Sequence, residues 1–271
     1  MSIPFYKMSG SGNDFIIIDN REKIIREKGL TSFIKVVCAR KYSVGANGLI
    51  LIEPSKVSDF KWRFFNSDGS IADMCGNGAR CVSRYAFVKG ISTNEVKFET
   101  TRGIIEAEVK ENKVKLKMPD PTNLYLNCEI KDSPNLSFID TGVPHAVVTV
   151  DDIENAPVVK LGKKIRFHDA FMPEGTNVNF MQFTDKKGLS IRTYERGVED
   201  ETLACGTGAI ACALIGASIK KIDSPINVLT WGGETLIIYF DKNETEFKNI
   251  YLEGDARIIY DGKLWDEGWM Y

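Results

Sequence analysis

Two short stretches of this 271-residue chain share one pattern, Cys75-Gly76-Asn77-Gly78 and Cys205-Gly206-Thr207-Gly208. Each stands just before a run with helical spacing, residues 79–88 in the first case and 209–219 in the second. The first backbone N–H groups of a helix have no partner inside it, and the helix dipole favours negative charge there. A cysteine at that point is expected to have a lowered pKa and to be nucleophilic and basic. The glycines let the backbone come close to a ligand. The N–H groups of Gly76-Asn77 and Gly206-Thr207 then suit a carboxylate.

Two equivalent acid–base groups suit inversion at a stereocentre. One thiolate removes a proton from one face of a carbon, and the opposite thiol delivers one to the other face. The Cα–H of an amino acid is a very weak acid, so the developing carbanion needs electrostatic help, which helix-terminal N–H groups supply at the α-carboxylate. Other chemistries fit less well. The chain has no Cys-x-x-Cys or Cys-x-x-His spacing, and its only histidines are His145 and His168, which is poor material for zinc. A dithiol redox pair stays open. A cysteine hydrolase with His145 as base leaves the second cysteine without a task.

The elements that position these groups repeat. Cys205 follows Cys75 by 130 residues, Asn177 follows Asn47 by 130, Cys212 follows Cys81 by 131 and His145 follows Asp14 by 131. A near-constant offset over four landmarks reads as one α/β unit used twice. Strands are expected over 15–18, 49–53, 61–65, 95–100, 103–110 and 113–118, with a short helix over 34–40. The second copy repeats the order with strands over 146–150, 176–181 and 190–194. Pro119-Asp120-Pro121-Thr122 marks the boundary between copies. Of the six cysteines, Cys81 and Cys212 fall inside the two helices as core residues, and Cys38 and Cys128 have no repeat partner.

Composition fits this frame. Hydrophobic residues make up 43% and charged residues 27%, ordinary globular usage, which excludes a disordered, collagen-like or coiled-coil chain. The net charge of -2 gives no reason to expect nucleic acid or an anionic membrane as partner. No stretch approaches the ~20 apolar residues of a spanning helix, and no secretory pattern opens the sequence. A cytoplasmic protein with reduced thiols is expected.

The stretches Ser11-Gly12-Asn13-Asp14-Phe15, Phe65-Asn66-Ser67-Asp68-Gly69-Ser70, Cys75 through Cys81, and Tyr194-Glu195-Arg196-Gly197-Val198 through Gly208 together resemble the diaminopimelate epimerase family. The resemblance runs along the whole chain. It implies a cofactor-independent, metal-free isomerase that interconverts LL- and meso-diaminopimelate, a step towards lysine and peptidoglycan. It implies an α/β (α+β) fold of two pseudo-symmetric domains, each a mixed β-sheet or barrel wrapped round a central helix, with the active site in the cleft between them. The domains expected are 1–117, joined by a return of 262–271, and 118–261. Cys75 and Cys205 match the catalytic bases, and Glu195 and His145 match positions that assist them. Asn13, Asn66, Gly76, Asn77, Asn177, Glu195, Arg196, Gly206 and Thr207 match substrate-binding positions. Partners implied are a small amino-acid substrate and a second copy in a homodimer. Two positions depart from the family pattern: Val143 stands where many members have Asn, and Gly48 where some have Gln. The nearest rival, a proline or hydroxyproline racemase, typically carries His after Cys-Gly, where this chain has Asn77.

Overall fold

The computed structural model describes residues 2–72, 74–184, 188–244 and 246–270. The chain divides into two compact units, Met1–Leu116 with Asp255–Tyr271, and Lys117–Gly254. The first unit contains β1 (Ile3–Gly10), β2 (Asn13–Asp19), α1 (Leu30–Cys38), β3 (Gly48–Glu53), β4 (Phe60–Asn66), α2 (Gly76–Val88), β5 (Glu95–Thr100), β6 (Gly103–Lys110) and β7 (Lys113–Lys117). The second contains β8 (Thr122–Cys128), β9 (Leu136–Asp140), β10 (Pro144–Thr149), α3 (Val158–Arg166), β11 (Asn177–Phe183), β12 (Gly188–Glu195), β13 (Asp200–Thr202), α4 (Gly206–Lys220), β14 (Ile226–Leu229), β15 (Thr235–Asn243) and β16 (Glu246–Asp255). β17 (Arg257–Leu264) then returns to the first unit and runs antiparallel along the whole of β1.

The two units share one topology. In the first, β1 and β2 form an antiparallel pair, β2 and β3 are parallel across α1, β4 is antiparallel to β3, and β5 is parallel to β4 across α2. In the second, β9 and β10, β10 and β11, β12, and β14 repeat those steps with α3 and α4 as the crossovers. β17 occupies beside β1 the place that β8 occupies beside β9.

Each sheet has a helix on both faces, so its strands read as continuous apolar runs. In the second unit Ala146, Val148, Val178 and Phe180 pack with Val158 and Ile165 of α3. Val147, Met181 and Ile191 point the other way, onto α4. Every residue of α4 from Gly208 to Ala217 is buried, as its all-apolar sequence demands, and β9 to β16 curl round it. In the first unit Ile16, Ile18, Leu49 and Leu51 cover Ile34 and Val37 of α1. Phe15 and Ile50 lie on the α2 side, against Gly78.

The structure shifts two sequence landmarks. The parallel registers pair Phe15 with Gly48 and His145 with Asn177. Ile50 faces Gly78 as Asn179 faces Gly208, so Phe15 and Gly48, not Asp14 and Asn47, hold the positions equivalent to His145 and Asn177. Among the described residues, no helix is long and apolar enough to cross a membrane.

Candidate functional site

In the first unit Cys75 is the residue that caps α2. Its backbone is extended (φ -147°, ψ 115°), and its sulfur accepts a hydrogen bond from the Gly78 N–H at 3.5 Å. Sulfur here plays the part that a Ser or Asp oxygen plays at an ordinary N-cap. Gly76 and Asn77 are the first two helical residues. The Asn77 side chain is fixed by a chain of directed bonds. Arg80 Nη2 donates to Asn77 Oδ1 at 2.9 Å, and Asn77 Nδ2 donates to Asn13 Oδ1 at 2.7 Å. Arginine can only donate, so both amide orientations follow from it. Arg80 itself is fully buried and also donates to Ser11 Oγ at 2.6 Å and to the Asp255 carbonyl at 3.3 Å.

The start of β2, which carries Asn13, is tied down by its neighbour. Asp14 meets Lys7 Nζ at 2.8 Å and Arg40 Nη2 at 2.6 Å, and accepts the Asn47 N–H at 2.9 Å. Burial alone would raise the Asp14 pKa, but the bonds from Lys7 and Arg40 outweigh it and hold the carboxyl below its ordinary value. Asn66 ends β4, where its Nδ2 donates to Ser70 Oγ at 3.0 Å. Gly48 pairs with Asn66 across the strands. A Cβ there would lie 2.6 Å from the Phe65 carbonyl oxygen, so this backbone leaves no room for a Gln-like side chain.

In the second unit Cys205 caps α4 with the same extended backbone (φ -123°, ψ 113°). Its sulfur lies 3.5 Å from Thr207 Oγ1, and Gly206 is the first helical residue. The lowered pKa expected from the helix start is not what this thiol has. Burial pushes Cys205 up to about 12, and the nearby Glu195 carboxylate adds to the rise. The Thr207 hydroxyl and the N–H groups of Gly208 and Thr207 pull the other way and lose. Desolvation of the thiolate therefore outweighs the helix terminus in this ligand-free state.

Glu195 ends β12, and its own pKa is raised by burial. Arg196 follows, and its backbone N–H donates to Asn177 Oδ1 at 2.9 Å while Nη1 donates to the Glu174 carbonyl at 3.3 Å. Asn177 Nδ2 donates to the Pro144 carbonyl at 3.1 Å. Val143, beside that proline, accepts the Thr141 N–H through its carbonyl at 3.1 Å. His145 has no exposed surface, and burial depresses its pKa to about 3, with Arg196 a smaller contributor. A ring in that environment is neutral at ordinary pH, so it is not a charge partner for a thiolate.

Sequence reasoning passed over Arg80 and the buried Asn179 and Thr193, which orient the predicted groups from beneath. The other cysteines are core residues: Cys81 and Cys212 have no exposed surface, and burial raises Cys212 well above the ordinary thiol range and Cys38 to about 12. Cys128 is only half-buried.

Each unit thus begins its central helix from a cysteine, flanked by two N–H donors and by oriented amides. The family model for diaminopimelate epimerase matches residues 5–124 and 137–259. The chain belongs to the diaminopimelate epimerase family. A diaminopimelate epimerase of Aquifex aeolicus is 48% identical over 97% of this chain and 98% of its own length. One from a Hydrogenobaculum species is 44% identical over 95% and 97%. The fold extends beyond the family. A crystal structure of a PhzF-family phenazine biosynthesis protein from Bacillus anthracis matches with a TM-score of 0.74 at 16% identity, covering 98% of this chain and 99% of that one. A hydroxyproline epimerase from Agrobacterium vitis matches with a TM-score of 0.66 at 14% identity, covering 97% and 90%. These two likenesses carry the fold and nothing more.

Proposed function

We propose that this member of the family interconverts LL- and meso-2,6-diaminopimelate by proton transfer at Cα, with Cys75 and Cys205 as the two acid–base groups. The observation that carries the reading is the repeated N-cap cysteine in a chain that the family model matches over residues 5–124 and 137–259. One thiolate takes the Cα proton while the other thiol gives its proton to the opposite face. The charge on Cα and its carboxylate is held meanwhile by helix-start N–H groups. The product leaves with one proton exchanged and the two cysteines in swapped protonation states.

Gly76 and Asn77 in one unit and Gly206 and Thr207 in the other supply those N–H groups. Asn13, Asn66, Asn177, Glu195 and Arg196 hold the ammonium and carboxylate groups of the substrate. Glu195 and His145 assist the thiols. The cytoplasm and a homodimer are the setting expected from the family resemblance, and light scattering giving twice the chain mass checks the second.

The test is purified protein with reductant and LL-diaminopimelate in deuterated water. Meso product carrying deuterium at Cα, with no cofactor added, supports the reading. No exchange with diaminopimelate defeats it, and exchange with proline instead moves the protein to another substrate class.

A further inference from the structure

The underside of the two central helices differs between the units. Beneath Gly78 lie Phe15 and Ile50, diagonal neighbours on β2 and β3. The same diagonal on β10 and β11 is occupied by His145 and Asn179, of which Asn179 lies beneath Gly208. Both polar residues are fully buried, as is their neighbour Thr193, at 2% exposure. Such a group is kept in a core only when its hydrogen bonds are specified.

These bonds specify a tautomer. One atom of the Asn179 amide faces the Ala146 carbonyl at 3.2 Å. A carbonyl only accepts, so that atom is Nδ2. The same Nδ2 lies 3.0 Å from His145 Nδ1, which must then accept. The ring proton is left on Nε2. Thr193 Oγ1 closes the chain by donating to Asn179 Oδ1 at 2.9 Å. His145 Nε2 is buried and finds no acceptor among the described residues. The cluster also adjoins the catalytic helix start. A Cβ on Gly208 would lie 2.3 Å from Asn179 Oδ1 and 3.3 Å from Cys205 Cβ.

We propose that Asn179 is a positioning residue: it locks His145 as the neutral Nε2–H tautomer, so that His145 serves the reaction as a hydrogen-bond donor and not as a base. The functional part rests on the epimerase reading, while the tautomer stands on the geometry alone.

The test uses protein labelled with ¹⁵N-histidine and the His168→Gln variant, which leaves His145 as the one labelled ring. Two-bond ¹⁵N–¹H correlation at pH 7 should show a protonated Nε2 and a bare Nδ1. Asn179→Asp keeps the shape but presents an acceptor to Nδ1, so the proton should move from Nε2 to Nδ1. In that variant kcat for diaminopimelate should fall about 100-fold, the usual cost of losing one preorganised donor. KM should change little. A wild-type spectrum with Nδ1 protonated, an Asn179→Asp spectrum like wild type, or a flipped tautomer with unchanged kcat would each overturn the proposal. Wild-type protein that shows the Nε2–H ring but epimerises nothing defeats the epimerase reading and leaves the tautomer assignment supported.

Discussion

Replacing Arg80 by methionine removes a buried guanidinium while keeping most of its volume. Three acceptors lose their donor: Ser11 Oγ, Asn77 Oδ1 and the Asp255 carbonyl. A buried polar group left unmade costs about 1–3 kcal/mol. Relief from no longer burying a charge offsets part of that sum, so the net loss should be about 3 kcal/mol. For a protein of this size 3 kcal/mol corresponds to a fall in Tm of roughly 6–12 °C. Arg80→Lys keeps the charge, and one ammonium can serve Ser11 and Asn77 as Nη2 does, but the Nε donor to the Asp255 carbonyl is lost, so it should lose about half as much. Urea unfolding by circular dichroism gives the magnitude from the midpoint, provided the slope is unchanged. The same substitution frees Asn77 to turn its amide over, so KM for diaminopimelate should rise about tenfold or more, the equivalent of one lost hydrogen bond to a charged group. A loss under about 1 kcal/mol with unchanged KM would refute the argument that Arg80 sets the orientation of Asn77 and Asn13.

Cys75→Ala and Cys205→Ala should each abolish epimerisation, read by circular dichroism of the amino acid, because one base cannot complete an inversion. Cys81→Ala should keep most of the activity; behaviour like Cys75→Ala would overturn the division between helix-start and core thiols. Acid should weaken the fold through His145, whose pKa falls from 6.5 to about 3 on folding. Below pH 6.5 the unfolded chain binds a proton that the folded ring refuses, so stability is complete above that pH and drains away as pH falls towards 3. The loss between pH 6.5 and 5 is about 2 kcal/mol, and His145→Gln should flatten that part of the pH profile of the urea midpoint. Gly208→Ala should misplace Asn179 and lower kcat without unfolding α4, which circular dichroism and steady-state rates would separate.

The strands and helices nearest the chemistry were legible because their signals are local. The β-branched run that became β2, the apolar run that became β3, the Cys-Gly-x-Gly starts of α2 and α4, and Gly90 after α2 all declare themselves within a few residues. α3 did not. It starts from Pro157, which offers no side-chain cap, and carries Gly162 in its middle. That glycine reads as a breaker, yet a Cβ there would lie 2.5 Å from Tyr194 Cβ, so the close packing of α3 on β12 requires it. β1 hid for a similar reason: Lys7 breaks its apolar pattern, and its buried charge is met by Asp14 on the next strand and by the Gly45 carbonyl, far along the sequence. The alternation Asn177-Val178-Asn179-Phe180-Met181 has the form of a half-solvated strand, but both asparagines are buried, at 5% and 0%. Only the contacts with His145 and Thr193 reveal what that polar face is for.

Duplication explains where the thiols are, and divergence beneath them explains how they differ. Both cysteines stand at an extended N-cap with glycine on either side of the second helical residue, so both inherit the same N–H donors. The support below is not the same. In the first unit a buried cation, Arg80, sits one turn beyond the cap and acts through Asn77, while the sheet contributes only Phe15 and Ile50. In the second unit the sheet contributes a neutral imidazole, an amide and a hydroxyl, and the carboxyl of Glu195 raises the Cys205 pKa further. Burial beside a carboxyl favours the neutral thiol at Cys205. A two-base inversion needs one group ready to accept a proton and one ready to give it. In the proposed inversion the neutral, buried Cys205 is the group ready to give a proton in this ligand-free state, and turnover in the opposite direction starts from the swapped protonation states.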